Sequence, residues 1–162
     1  ESGQIDLKYS IFDINLLVQE IFDLLEMEGE KHAMTMQLQT TQPQLFVSAD
    51  KQRISQVLIN LISNSIKYAN REEAQIIVST REGTKSIHIS VEDNGMGIKP
   101  ENLPRIFERF FRVESSRSRK EGGSGLGLAI VKHILEAHQQ TIAVESTYLS
   151  GTKFKFKLTM WR

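Results

Sequence analysis

The stretch from Asp50 to about Asn70 constrains this chain more than any other. At 100° per residue, Ile54, Leu58, Leu61, Ile62, Ser65 and Ala69 fall within about 100° of arc, whereas Arg53, Gln56, Asn60, Asn64 and Lys67 crowd the opposite side within about 80°. The spacing predicts a helix with one core face and one face of amides and cations, so the rest of the fold has to cover one side of it only. Asn is a mediocre helix former, and two on one stripe add no propensity. A ligand role for Asn60 and Asn64 therefore competes with the ordinary reading of a solvated face.

Around this helix the pattern alternates. Residues 11–32 carry Ile14, Leu17, Val18, Ile21, Leu24 and Leu25 at helical spacing, with Asp13 placed to cap the start. Met34, Met36 and Leu38 alternate with polar residues as a strand, and a turn follows around Pro43. Residues 75–80 and 86–91 read as two strands joined around Gly83. Residues 99–111 read as a short helix ending at Arg109-Phe110-Phe111. A polar segment, 112–124, has the composition of a mobile loop; residues 126–137 read as a helix, and 141–146 and 153–159 as strands around Gly151. Helices among hairpin-joined strands imply an α+β sandwich, with a mixed, mostly antiparallel sheet covered by helices on one face. At 162 residues, without a repeat or linker, one domain spanning 1–162 is expected.

Composition narrows the function classes. Twenty Lys+Arg against twenty Asp+Glu argue against a nucleic-acid partner, whose phosphates select an excess of cations. The absence of Cys excludes disulfides and thiolate metal sites. No apolar run approaches the roughly 20 residues needed to span a bilayer, so no membrane contact by this segment is expected. The chain opens on Glu1-Ser2-Gly3 rather than Met, as a piece of something longer would.

Three polar constellations carry chemistry. Gly122-Gly123-Ser124-Gly125-Leu126-Gly127 leads into a helix whose first N–H groups attract phosphate, although a flexible connector has the same composition. Neither a Gly-Lys-Ser/Thr P-loop nor a strand-borne dinucleotide fingerprint is present. Asn60, Asn64 and Lys67 offer amide oxygens suited to hydrated Mg²⁺ and a cation suited to phosphate. Asp93 ends a strand just before Gly95 and Gly97. Ionised, it accepts from adenine's exocyclic amine and repels the carbonyl that guanine carries there, yet an Asp-Asn-Gly turn is an equally simple reading.

In order, Asn60-Leu-Ile-Ser-Asn64-Ser-Ile-Lys67-Tyr68, Asp93-Asn-Gly95-Met-Gly97-Ile98, Phe107-Glu-Arg-Phe110-Phe111-Arg112-Val113 and Gly123-Ser-Gly125-Leu126-Gly127-Leu128 resemble the N, first glycine, F and second glycine boxes of bacterial sensor histidine kinases. Gly151-Thr152 is similar to a last glycine element, and the resemblance, nearest to the PhoR/WalK-like group, covers essentially the whole chain. It implies the catalytic ATP-binding domain with the Bergerat fold shared with gyrase, MutL and heat-shock chaperone ATPases, and it implies ATP and Mg²⁺ as cofactors.

The resemblance also implies roles residue by residue. Asn64 would ligand Mg²⁺, Lys67 and Tyr68 would contact phosphates and sugar or base, and Asp93 would read the adenine amine. Arg112 would reach the γ-phosphate; Asn60, Gly95, Gly97, Ile98, Phe110, Leu126, Leu128 and Thr152 would line the nucleotide. Gly123, Gly125 and Gly127 would let backbone approach phosphate, residues 112–124 forming an ATP lid anchored by Phe107 and Phe110. At position 60 the ATPase branches carry a water-activating glutamate, whereas an amide is no general base, so hydrolysis should be slow. Transfer to a histidine is implied instead. None of His32, His88, His133 and His138 has the acceptor's context, so that histidine would lie on a missing dimerisation domain, with residues 1–10 as the junction and a response regulator as the onward partner. A cytoplasmic position beneath a membrane-anchored parent is expected, and a module that binds nucleotide without catalysis is the alternative. Ser65 departs from the pattern, standing where many relatives carry Ala. Residues 105–120 hold six Arg/Lys against two Glu, placing positive charge in the expected lid region.

Overall fold

The computed structural model describes residues 5–111 and 127–162. Its elements run β1 (Ser10–Asp13), α1 (Ile14–Leu24), α2 (Glu26–Lys31), β2 (Thr35–Thr40), β3 (Phe46–Ala49), α3 (Lys51–Lys67), β4 (Gln75–Glu82), β5 (Ser86–Asp93), a 3₁₀ turn (Leu103–Arg105), α4 (Gly127–Ala137), β6 (Ala143–Thr147) and β7 (Gly151–Met160). The seven-stranded sheet has the order β1-β3-β7-β5-β4-β2, with β6 pairing β7 beside β3. Every pair is antiparallel except β2 with β4, so the expected mixed, mostly antiparallel sheet is present.

Alternation decides which face of the sheet is covered. Ile76 and Val78 of β4, Ile87, Ile89 and Val91 of β5, and Phe154, Phe156 and Leu158 of β7 point inward and are buried. Against them lie Ile14, Leu17, Val18 and Ile21 of α1, Ile54, Leu58, Leu61 and Ile62 of α3, and Val131, Ile134 and Leu135 of α4. The other face carries Arg81, His88, Ser90, Lys153, Lys155 and Lys157, which line a shallow open groove. One face is thus core and the other is water-facing, as expected. No helix among the described residues is long and apolar enough to cross a membrane.

Three local expectations are corrected. The helix expected over 11–32 begins only at Ile14, because Ser10–Asp13 pair with β3, and it breaks at Leu25, whose backbone (φ −101°, ψ 9°) leaves the helical region. The short helix expected within 99–111 is a single 3₁₀ turn; Pro104 lacks an N–H, Arg105 N–H bonds back three residues to Asn102, and Phe110 takes a left-handed φ of 66°. Strands Ser10–Asp13 and Phe46–Ala49 were not expected at all. At four residues each, they are too short to show periodicity.

The N-terminus of α3 is tied down from three directions. The Asp50 carboxylate accepts from Arg53 N (3.2 Å) as an N-cap and from Lys8 N (2.9 Å), while the Asp50 N–H donates to His138 Nε2 (3.1 Å) at the end of α4. That donation leaves His138 Nδ1 as the protonated nitrogen, directed at Ile134 O (2.9 Å). Burial pushes the Asp50 pKa up, but the Lys8 and Arg53 N–H groups and the Arg53 charge outweigh it, so the pKa is held below the usual value. A lowered carboxylate pKa stabilises the fold above the unfolded-state value and ceases to do so as pH falls through the folded one. Asp50→Ala is expected to cost about 1–2 kcal/mol at neutral pH in urea unfolding, with the difference from wild type shrinking on acidification.

Candidate functional site

α3 ends against the loop that follows β5. Tyr68 closes the helix, its N–H donating to Asn64 O (3.2 Å), and its own carbonyl accepts from Met96 N (3.1 Å). A side chain at Gly95 would meet that carbonyl at 2.7 Å, so position 95 has no room for a Cβ. Lys67 Nζ lies 5.8 Å from the centroid of the Tyr68 ring, within cation–π range. The C-terminal end of α3, where Lys67 and Tyr68 stand, therefore abuts the Asp93–Ile98 loop.

Asp93 is the charged centre of this junction. Its Oδ1 accepts from Gly95 N (2.8 Å), and β5–β7 pairing sets Thr152 directly opposite it. Burial raises the Asp93 pKa above the ordinary carboxylate value; the Gly95 N–H, the Ser65 hydroxyl and the Thr152 N–H oppose that rise without cancelling it. The carboxylate is thus a partly desolvated acceptor whose Oδ1 is taken by the Gly95 N–H. The Ser65 hydroxyl lies against it yet makes no hydrogen bond of normal geometry.

The last strand pair closes the site from the other side. Gly151 has a φ of 142°, and a side chain there would collide with Asp93 O; Gly97 has a φ of 70°, and a side chain there would collide with Thr147 O. Ser146 links the two glycine segments. Its Oγ accepts from Ile98 N (2.8 Å), bonds Gly151 O (2.9 Å) and contacts Thr152 Oγ1 (2.9 Å). With the Ser146 proton on Gly151 O, the Thr152 hydroxyl donates to Ser146, which leaves Thr152 Oγ1 with acceptor capacity. Sequence reasoning missed Ser146, whose one signal is its inward place on β6. It also missed Asn94, whose side chain accepts from Gln75 N (2.9 Å) and donates to Glu73 O (3.0 Å), fastening the connection after α3 to the Asp93 loop.

Asn60 Nδ2 donates to Gly127 O (3.2 Å), so the amide face of α3 meets the first residue of α4. Leu128 is half-buried and packs on the core. Phe107 stands edge-on to buried Phe154, with centroids 6.2 Å apart, whereas Phe110 is 64% exposed beside the Arg109 guanidinium. Of the two aromatics expected to anchor a lid, only Phe107 is seated in the core. Arg112, Gly123, Gly125 and Leu126 lie outside the described residues, as does the expected lid over 112–124. Among the described residues, no group of three or more His, Cys, Asp or Glu side chains is placed to hold a metal.

Residues 49–162 match the family described as histidine kinase-, DNA gyrase B- and HSP90-like ATPase. The chain belongs to this family. It is 37% identical over 157 residues to the sensor protein RprX of Bacteroides fragilis (strain YCH46), covering 95% of this chain and 30% of that protein. It therefore spans about a third of that relative's length. The catalytic domain of histidine kinase ThkA, in a nucleotide-free form, superposes with a TM-score of 0.82 at 29% identity, covering 94% of this chain and 96% of that one. Full-length ShkA in complex with AMPPNP gives a TM-score of 0.84 at 25% identity, covering 98% of this chain and 32% of that one. The resemblance to sensor histidine kinases carried by the four boxes, and the fold it implied, are borne out.

A carboxylate with a raised pKa favours folding at low pH and loses that advantage as pH climbs through the folded value, because ionising it in place is costlier than in the unfolded chain. Asp93→Asn is accordingly expected to unfold at a higher urea midpoint than wild type at neutral pH, with the gap closing in acid as the wild-type carboxylate protonates.

Proposed function

We propose that this chain is a single catalytic domain that binds Mg-ATP and passes the γ-phosphoryl group to a histidine on a partner dimerisation domain, for onward transfer to a response-regulator aspartate. The observation that carries the reading is the placement of the half-buried Asp93 carboxylate beside the C-terminal end of α3, the helix that carries the amide-and-cation face. One end of that arrangement accepts a base amine and the other meets phosphate. A raised pKa suits Asp93 to a directional acceptor bond, and the unpartnered Ser65 hydroxyl beside it supports a site whose polar groups are completed by a ligand.

Mg²⁺, when bound, neutralises triphosphate charge and aligns the leaving group. Asn64, half-buried one turn after Asn60, is the residue suited to hold it, with Lys67 as the phosphate cation and Tyr68 toward sugar or base. Gly95, Gly97 and Ile98, with Thr152, form the wall around the base. The Asn60 amide is engaged with Gly127 O and offers no general base for water, which supports transfer over hydrolysis. The remaining contribution is positioning: the acceptor histidine comes from elsewhere, and this chain orients the phosphoryl donor. Arg112 and the Gly123–Gly127 segment are assigned to the γ-phosphate side by the motif they complete. A cytoplasmic location beneath a membrane-anchored parent goes with this reading.

Calorimetric titration tests it. Mg-ATP is expected to bind and GTP to bind far more weakly. Asp93→Asn and Asn64→Ala should each lose at least about tenfold in ATP affinity, the cost of a hydrogen bond to a charged group or of a metal ligand. ATP affinity should also fall as pH drops through the raised Asp93 pKa, since a protonated carboxyl is a poor acceptor for the amine. A chain that gives no heat with ATP at high micromolar concentration would sink the proposal.

A further inference from the structure

Ser65 is the polar member of the core stripe of α3. It is 1% exposed, and its Oγ is the one buried side-chain polar atom among the described residues without a hydrogen-bond partner. The other buried polar side chains are engaged: Asn15 donates to Thr40, Gln42 and Pro43, Thr80 to Asn15, His138 accepts from Asp50, and Thr152 pairs with Ser146. An unpaired buried hydroxyl is destabilising, so Ala would serve the core better at this position. The hydroxyl lies beside Asp93, where it is one of three groups that favour the ionised carboxylate.

Of those three, two are main-chain N–H groups held by the loop and the sheet: Gly95 N–H, which occupies Oδ1 at 2.8 Å, and Thr152 N–H. Neither can adjust to a ligand. Ser65 can, because a hydroxyl rotates about its Cβ–O bond and carries one donor and two acceptor positions. When a base covers the pocket, the carboxylate loses water that had solvated it, and another donor has to replace that water.

We infer that Ser65 is a positioning residue of the base site, whose hydroxyl, directly or through one ordered water, donates to the Asp93 carboxylate when adenine is bound and aims it at the exocyclic amine. This deepens the nucleotide reading above and rests on it. The unpaired hydroxyl is then a binding group held in reserve, which lowers the stability of the empty domain and is satisfied in the complex.

The experiment compares wild type and Ser65→Ala against ATP and against purine riboside triphosphate, which lacks the 6-amine, with melting curves taken without nucleotide. The Ala variant is expected to melt no lower than wild type, to bind ATP about tenfold more weakly, and to bind the amine-free analogue within about twofold of wild type. A purely structural role for Ser65 would weaken both nucleotides alike. Equal ATP affinity in the two proteins, or an equal loss on both nucleotides, overturns the inference while leaving ATP binding by wild type intact. A wild type that binds neither nucleotide instead fails the function proposed above, and this inference with it.

Discussion

The pairing of β5 with β7 along their whole length, Ser86–Asp93 against Thr159–Thr152, is the constraint on which the rest of the structure depends. On the inner face it stacks Ile87, Ile89 and Val91 beside Phe154, Phe156 and Leu158, the buried layer that α3 and α4 cover. At its far end the same register puts Asp93 opposite Thr152 and leaves no space for any side chain at Gly151. A slip of one residue would reverse both consequences at once, since alternate side chains exchange faces. Core and site are therefore specified by one ladder of hydrogen bonds.

α3 turns that ladder into a site. Its stripe of Ile54, Leu58, Leu61 and Ile62 fixes the helix on the sheet, its capped start is held by Lys8 and His138, and its end abuts Gly95 and Met96. With both ends pinned, the Asn60–Asn64–Lys67 face has a set direction, so the groups proposed to meet metal and phosphate sit on a rigid element rather than on a loop. Stability is given up locally: Asp93 carries charge in a partly desolvated place and Ser65 carries an unpaired hydroxyl. Destabilising polar groups concentrated at one junction, with the remaining buried polar side chains among the described residues satisfied, fit the ligand site proposed there.

Legibility in the sequence followed the range of the interactions. The two faces of α3, the alternation of β4, β5 and β7 and the Asp13 cap of α1 arise within or next to one element, and the local pattern displayed them. The strands at Ser10–Asp13 and Phe46–Ala49 exist because each completes the other's hydrogen bonding, which a four-residue pattern cannot announce. The helix expected before Phe111 lost to Pro104 and to the left-handed Phe110. Within the site, Asp93, Gly95, Gly97 and Thr152 were legible as motif residues. Ser146 and Asn94 act by bridging segments far apart in sequence, Ser146 reaching Ile98 and Asn94 reaching Glu73 and Gln75, so nothing local marked them. Phe107 and Phe110 show the same limit, since spacing alone could not separate the seated ring from the exposed one.

The junction of α3, the Asp93–Ile98 loop and the start of β7 is the proposed seat of the nucleotide, and the open face of the sheet is not. Backbone amide chemical shifts followed during addition of Mg-ATP test this most directly. The expected result is a set of large changes at Ser65, Asp93, Gly95, Gly97, Ile98 and Thr152, with His88, Ser90 and Lys157 unmoved. Changes concentrated on Arg81, His88 and Lys157, with Asp93 and Gly95 silent, would contradict it.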